Sequence, residues 1–101
     1  MEPVRHNALL RFLDKKEGGR INPPMSGYRP HIKIDNYHTS CIITSETDDV
    51  FSFGIDHDVL IELIFDIEET ASVKPGFNVG IYEGNRLVGH GYIKQSCQEG
   101  V

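Results

Sequence analysis

Long hydrophobic runs are missing from this chain. Nothing in it approaches the roughly 20 consecutive apolar residues that a membrane-crossing helix needs. The opening Met1-Glu2-Pro3-Val4-Arg5-His6 lacks the apolar centre of a signal peptide, so the cytoplasm is the expected location and no membrane partner is expected. Cysteine is scarce. Cys41 and Cys97 stand far apart, with neither CxxC spacing nor a paired-histidine motif, so the close ligands of a zinc site are not supplied and no metal is expected. Two reduced structural thiols are the expectation. Positive charge is also in deficit: 10 Lys and Arg against 15 Asp and Glu give a formal net charge of −5. A nucleic-acid binder ordinarily presents a basic surface that releases counterions from phosphates, so this balance counts against RNA as the default partner. There is no GxxxxGK[ST] loop to cradle a phosphate, and neither GTPase activity nor a cofactor is expected.

What is there suits one domain. The 101 residues can enclose a single modest core, and a hydrophobic content of 39% lies well above the disordered regime. Residues 5 to 13, RHNALLRFL, fit either a short helix or a strand. Lys15, Lys16 and Glu17 read as a solvated edge, and Gly18-Gly19 as a turn with positive φ. Pro23 and Pro24 cannot donate ladder hydrogen bonds, which makes residues 21 to 28 a loop. From Pro30 the pattern has period 2, with His31, Lys33 and Asp35 on one face and Ile32 and Ile34 on the other, the signature of a half-buried strand. Cys41 to Thr44 reads as a second short strand, and Ser45 to Asp49 as a polar loop.

Residues 58 to 69, DVLIELIFDIEE, satisfy two patterns at once. Asp58, Glu62, Asp66 and Glu69 form a stripe at helical spacing, while Val59, Ile61, Leu63, Phe65 and Ile67 alternate as in a strand. Phe77, Val79 and Ile81 alternate again and lead into Glu83-Gly84-Asn85-Arg86 and a second strand over residues 87 to 93, the clearest hairpin signal in the chain. Gly89 and Gly91 within that strand indicate a bulge or a close backbone approach, and the tail from Gln95 onward reads as frayed.

Few residues suggest chemistry. Asp56-His57-Asp58 combines metal-ligating types, but along a strand the two carboxylates point one way and the imidazole the other. The five histidines, His6, His31, His38, His57 and His90, are scattered over several elements and read as exposed barrel residues. No nucleophile elbow ties Ser, Cys and His together, and no catalytic residue is assigned. Arg20 and Arg29 could hold phosphate through their planar forks, but pairing with nearby carboxylates that fix the loop is the favoured reading.

Three stretches, Glu17-Gly18-Gly19-Arg20, Gly27-Tyr28-Arg29-Pro30 and Tyr82-Glu83-Gly84-Asn85-Arg86-Leu87-Val88-Gly89-His90-Gly91, together resemble the C-terminal β-barrel domain of the elongation factor Tu family in order and spacing. The likeness runs from about Ala8 to Lys94. It implies a six-stranded, closed, antiparallel barrel with Greek-key features, occurring here as a single stand-alone domain over residues 1–101 without a GTPase part. It also decides both ambiguities above in favour of strands. The first ends near Asp14, and the second is followed by a long loop from Glu68 to Pro75.

In that family the domain holds the T-stem backbone of aminoacyl-tRNA and touches partner proteins. The resemblance places His31 where a glutamine near the tRNA is common, and Ser40 or Thr39 where a hydroxyl is common. Asp35 stands in place of a basic residue, while Glu83 and Gly84 match the family's tRNA-facing pair. The implied partner or tRNA surface comprises Arg29, His31, Lys33, Ser40, Glu83, Gly84 and Arg86, with Gly18, Gly19, Arg20, Gly27 and Pro30 shaping the turns. The expectation is a non-enzymatic binding module linked to translation that engages a protein partner. A tRNA- or ribosome-binding accessory protein is the alternative, and a small His/carboxylate enzyme stands third.

Overall fold

The computed structural model describes residues 4–34, 37–64 and 74–96. Six strands follow one another: β1 (Val4–Phe12), β2 (His31–Ile34), β3 (Tyr37–Thr44), β4 (Asp56–Leu63), β5 (Asn78–Glu83) and β6 (Arg86–Ser96). They close into a barrel in the order β1-β4-β3-β2-β5-β6, with every ladder antiparallel. β2, β3 and β4 form a meander, and β1 lies beside β4 after a long connection, which is the Greek-key arrangement. Closure leaves no sheet edge open to another chain.

Alternation fills the interior. Ala8, Leu10 and Phe12 of β1 point inward and meet Val59, Ile61 and Leu63 of β4, with Ile32, Cys41, Ile43, Val79, Ile81, Val88 and Ile93 completing the core. The outward positions of β1 and β4 carry charge: Arg5 bonds Glu62 and Arg11 bonds Asp56, each at 3.0 Å. The helical stripe therefore does not prevail over the described part of this segment, because Glu62 finds Arg5 on the neighbouring strand, Asp58 finds Lys94, and Val59 and Ile61 find the core. β4 begins at Asp56, two residues earlier than expected, and ends at Leu63; residues 65–73, including much of the expected loop from Glu68, lie outside the described residues.

Other boundaries differ too. β3 starts at Tyr37 instead of Cys41, because Thr39 turns inward and is buried while His38 faces solvent. β6 runs on to Ser96, held by the pairing of His6 with Ser96 and Asn7 with Gln95, so the fraying expected from Gln95 is absent at those two positions. Lys15–Glu17 is one turn of 3-10 helix, not merely an edge: Asp14 accepts from the Glu17 amide and Glu17 bonds back to the Asp14 amide.

The end of the barrel that receives the C-termini of β1, β3 and β5 is closed by two loops. Segment 24–28 lies along 43–51, through Ser26 N to Asp49 O at 2.9 Å, Phe51 N to Pro24 O at 2.8 Å and Gly27 N to Ile43 O at 2.8 Å. This ribbon delivers Phe51, fully buried, onto Phe12 in a stacked pair with centroids 5.3 Å apart. A buried aromatic of this kind contributes about 2–3 kcal/mol.

Glycine is required at two kinds of position. Gly91 packs so closely against β1 that a Cβ would lie 1.8 Å from the Leu9 carbonyl oxygen, while Gly84 in the hairpin turn holds φ +61°. Gly19 corrects the expectation of positive φ. Gly18 takes the left-handed conformation at φ +88°, and Gly19 is confined by the Leu13 carbonyl, which a Cβ would meet at 2.0 Å. Gly91→Ala is expected to destabilise the fold by about 2–3 kcal/mol through overpacking. Gly84→Ala should cost only about 1 kcal/mol. Urea unfolding of the two variants checks the order, and equal midpoints would refute it.

Candidate functional site

The three stretches singled out in the sequence meet in space. Arg20, from the first, donates through its Nη1 to the Glu83 carboxylate, from the third. The Tyr28 hydroxyl, from the second, donates to the same Glu83 oxygen, and Arg20 Nη1 stands 3.4 Å from that hydroxyl. The Arg20 guanidinium also lies over the Tyr28 ring, 4.9 Å from its centroid, and Nε donates to the Asn22 carbonyl at 3.0 Å. Burial and the hydrogen bond to Glu83 push the Tyr28 hydroxyl far above its usual range. The expected carboxylate pairing holds for Arg20, although its partner is 63 residues away instead of nearby. Arg29 is exposed and forms no ion pair among the described residues.

The implied partner surface is only partly assembled. His31 and Lys33 point outward from β2, and His31 stands opposite Ser40 of β3 and Tyr82 of β5. Thr39, the other hydroxyl candidate, is buried. Arg86 opens β6 opposite Glu83, and Gly84 occupies the exposed turn between them. Glu83 departs from the expectation, because its carboxylate is committed to Arg20 and Tyr28 and fixes the loop over the barrel end. Pro30 is buried, with its carbonyl accepting from the Cys41 amide at 3.1 Å, and Gly27 holds φ +97° in the tight turn before Tyr28. Asp35 and Cys97 lie outside the described residues. Cys41 is buried, and burial pushes its thiol up to about 12, which leaves it protonated and unreactive.

No family model matches the chain.

The outward face running over β3, β2, β5 and β6 has a distinctive chemistry. It presents His38 and Ser40, His31 and Lys33, Asn78 and Tyr82, then Leu87, His90 and Tyr92. His38 packs edge-on against Tyr82 with centroids 5.2 Å apart. Among the described residues no carboxylate projects from this strand face, and its flanking cations Arg29 and Arg86 have no ion pair. On β1, Arg5 and Arg11 are neutralised by Glu62 and Asp56, and Lys94 of β6 is neutralised by Asp58 of β4. The reason lies in the chain: no lysine or arginine occurs between Lys33 and Lys74, and most of the carboxylates fall in that span.

Two histidines contradict the expectation of exposure. His57 turns into the barrel end, where Nδ1 meets the Asp48 carboxylate at 2.6 Å and Nε2 the Ser52 carbonyl at 2.9 Å. The ring thereby ties the 45–55 loop to β4. Asp56 and Asp58 project outward to Arg11 and Lys94, so Asp56-His57-Asp58 does not converge on one point. His6, also buried, has no hydrogen-bond partner at either nitrogen, and burial holds its pKa below the ordinary 6.5. A groove of about 530 Å³ opens beside the 44–47 loop, lined by Asn7, Ser45, Asp58 and Leu60 among others. Ser45 Oγ there donates to the Asp58 carbonyl and accepts from the Thr47 and Asp48 amides. Among the described residues no helix is long and apolar enough to cross a membrane.

Two measurements check this geometry. In a double-mutant cycle, Arg20→Ala and Glu83→Gln should couple by about 0.5–1.5 kcal/mol, the range for a part-exposed charged pair after solvent screening. Strict additivity would remove the cluster's stabilising role. The second concerns His6. Its proton binds more readily in the unfolded chain, so its contribution is complete above pH 6.5 and is lost as pH falls through the lowered folded value. Below pH 6.5 the midpoint should fall less steeply in His6→Leu than in the wild type; parallel profiles would show that His6 does not contribute.

Proposed function

We propose that this barrel is a non-enzymatic binding module that engages an acidic surface of a protein partner through the β3-β2-β5-β6 face. The observation that carries the reading is the absence of carboxylates from that face among the described residues, in a chain whose net charge is −5. A face whose described residues carry cations and no carboxylate is suited to an acidic counterpart. Its aromatic and histidine side chains, with His38 edge-on against Tyr82 at the centre, suit the core of a protein interface, where aromatics are enriched and charges are kept to the rim. Lys33, Arg29 and Arg86 would form that rim and steer the encounter. The resemblance to the elongation factor Tu C-terminal barrel links the module to translation and the cytoplasm.

RNA is the second reading, favoured by the side-by-side placement of His31, Lys33 and Ser40. It ranks lower on charge. Three free cations would give a salt slope of only about −2.7 on a duplex, far from the six to ten contacts of a typical binder. Glu83 is already taken by Arg20 and Tyr28.

Two parallel experiments discriminate. Fluorescence anisotropy with bulk and aminoacylated tRNA, at low and physiological salt, should give no binding at physiological salt. Affinity purification of the wild-type chain from nuclease-treated cytosol should recover an acidic protein that Lys33→Glu with Arg86→Glu no longer retains. Tight tRNA binding that falls steeply with salt and weakens on Lys33→Ala would instead establish the RNA reading. Retention of the same protein by the charge-reversed variant would overturn the proposed face.

A further inference from the structure

We infer that the loop end of the barrel carries a second docking site, separate from the β3-β2-β5-β6 face, for a protein segment that presents an apolar anchor flanked by lysine or arginine. The site is centred on Met25 and Val50. These residues pair across the ribbon that closes the barrel end, between the flanking hydrogen bonds Ser26 N to Asp49 O and Phe51 N to Pro24 O. That makes them a non-hydrogen-bonded antiparallel pair, the kind in which side chains stand closest together and on the same side. Both project into solvent, Met25 at 61% and Val50 at 43% exposure, while their neighbours Pro24 and Phe51 are buried. Ile55, at 52%, extends the exposed apolar surface of the same 45–55 loop.

An exposed aliphatic pair on a floppy loop would carry no such meaning. This pair is held from both sides. Ile43 N donates to the Tyr28 carbonyl at 2.8 Å, and Ser45 N to Ser26 Oγ at 3.0 Å. Beneath the ribbon Phe51 stacks on Phe12, and His57 holds Asp48 and the Ser52 carbonyl. A surface fixed this firmly before binding loses little conformational freedom when a partner docks.

Charge selects the occupant. Glu46 and Asp49 lie in the same loop, exposed and without an ion pair among the described residues, and Asp49 directly precedes Val50. Asp48 adds a third carboxylate, shared with His57. Of the cations nearest in sequence to Met25, Arg20 is taken by Glu83 and Arg29 is exposed, so among the described residues one unpaired cation stands against the three carboxylates of the 45–55 loop. An apolar pair with an acidic rim fits an aliphatic or aromatic anchor with basic flanks, complementary in sign to the other face's partner.

The test uses the full chain labelled with nitrogen-15 and two synthetic probes: a peptide with one Leu-Phe anchor flanked by four lysines, and the same peptide with glutamates for the lysines. The lysine peptide should shift the amides of residues 25–26 and 46–51 in a saturable manner. Met25→Ser with Val50→Ser should weaken it about tenfold or more. Glu46→Gln with Asp49→Asn should weaken it several-fold and flatten its salt dependence. All four side chains are exposed, so unchanged unfolding midpoints confirm that the fold is retained. The proposal is overturned if the glutamate peptide binds equally well, if shifts fall on His31 and Lys33 instead, or if saturation is never reached. Self-association in sedimentation velocity that the Met25/Val50 variant abolishes would also overturn it, by making a second copy of the chain the occupant.

Discussion

Everything at the loop end depends on how closely β6 lies against β1. Two glycines set that distance: a Cβ on Gly91 would run into the Leu9 carbonyl, and one on Gly89 would reach the Phe12 ring at 2.9 Å. With both positions bare, the seam closes, the six strands form a ring, and Phe12 is pressed inward at its lower rim. Phe12 then offers one face to Phe51 and an edge to Tyr28, whose centroid is 6.1 Å away. Those two contacts seat the two loops. Through them the seam positions the Met25–Val50 pair and brings Tyr28 to Glu83 and Arg20. A change at Gly91 should therefore be felt at the loop end, although no loop residue touches it in the register.

The features that sequence exposes well here are local ones. Period-2 alternation picks out β2 and β5, and Gly84-Asn85 marks the hairpin that adds β6, whereas residues 5 to 13 fit helix or strand equally by pattern. Gly89 and Gly91 announce a close approach before its partner is known. Long-range partnership is what escapes. Nothing in the spacing says that Glu83 will be claimed by Arg20 and Tyr28, so a residue that resemblance assigns to a binding surface is found holding a loop. The start of β3 is obscured for a similar reason. His38, Thr39 and Ser40 are all polar, and their division into outward and inward positions emerges only from pairing with β2. That His31, Lys33 and Ser40 lie side by side, with no carboxylate projecting beside them among the described residues, depends on which strands become neighbours, and spacing does not say this.

The two buried histidines show how differently a ring can be accommodated inside one small barrel. His57 lies between a carboxylate and a backbone carbonyl, so its burial is compensated by two hydrogen bonds and makes a tie between loop and strand. His6 has no hydrogen-bond partner at either nitrogen among the described residues. An unsatisfied buried polar group costs about 1–3 kcal/mol, which makes His6 the least comfortable side chain of the interior. Composition cannot distinguish the two, since each sits at an inward position of an alternating strand.

Net charge is the wrong summary for this molecule. A value of −5 argues against anionic partners only if the charge is spread evenly, and the topology ensures that it is not. The lysine- and arginine-free span from residue 34 to 73 supplies β3, the 45–55 loop and β4, which are neighbours in the ring. β1 and β6 neutralise the outer side of β4 with Arg5, Arg11 and Lys94, and among the described residues of the span the carboxylates without an ion pair are left on the loop, at Glu46 and Asp49. β2 and β5, placed across the ring, keep a face without carboxylates among the described residues. With a Debye length of about 8 Å at physiological ionic strength, surfaces on opposite sides of the barrel are electrostatically independent. One fold can thus present two surfaces of opposite preference, and each has to be judged by its own side chains.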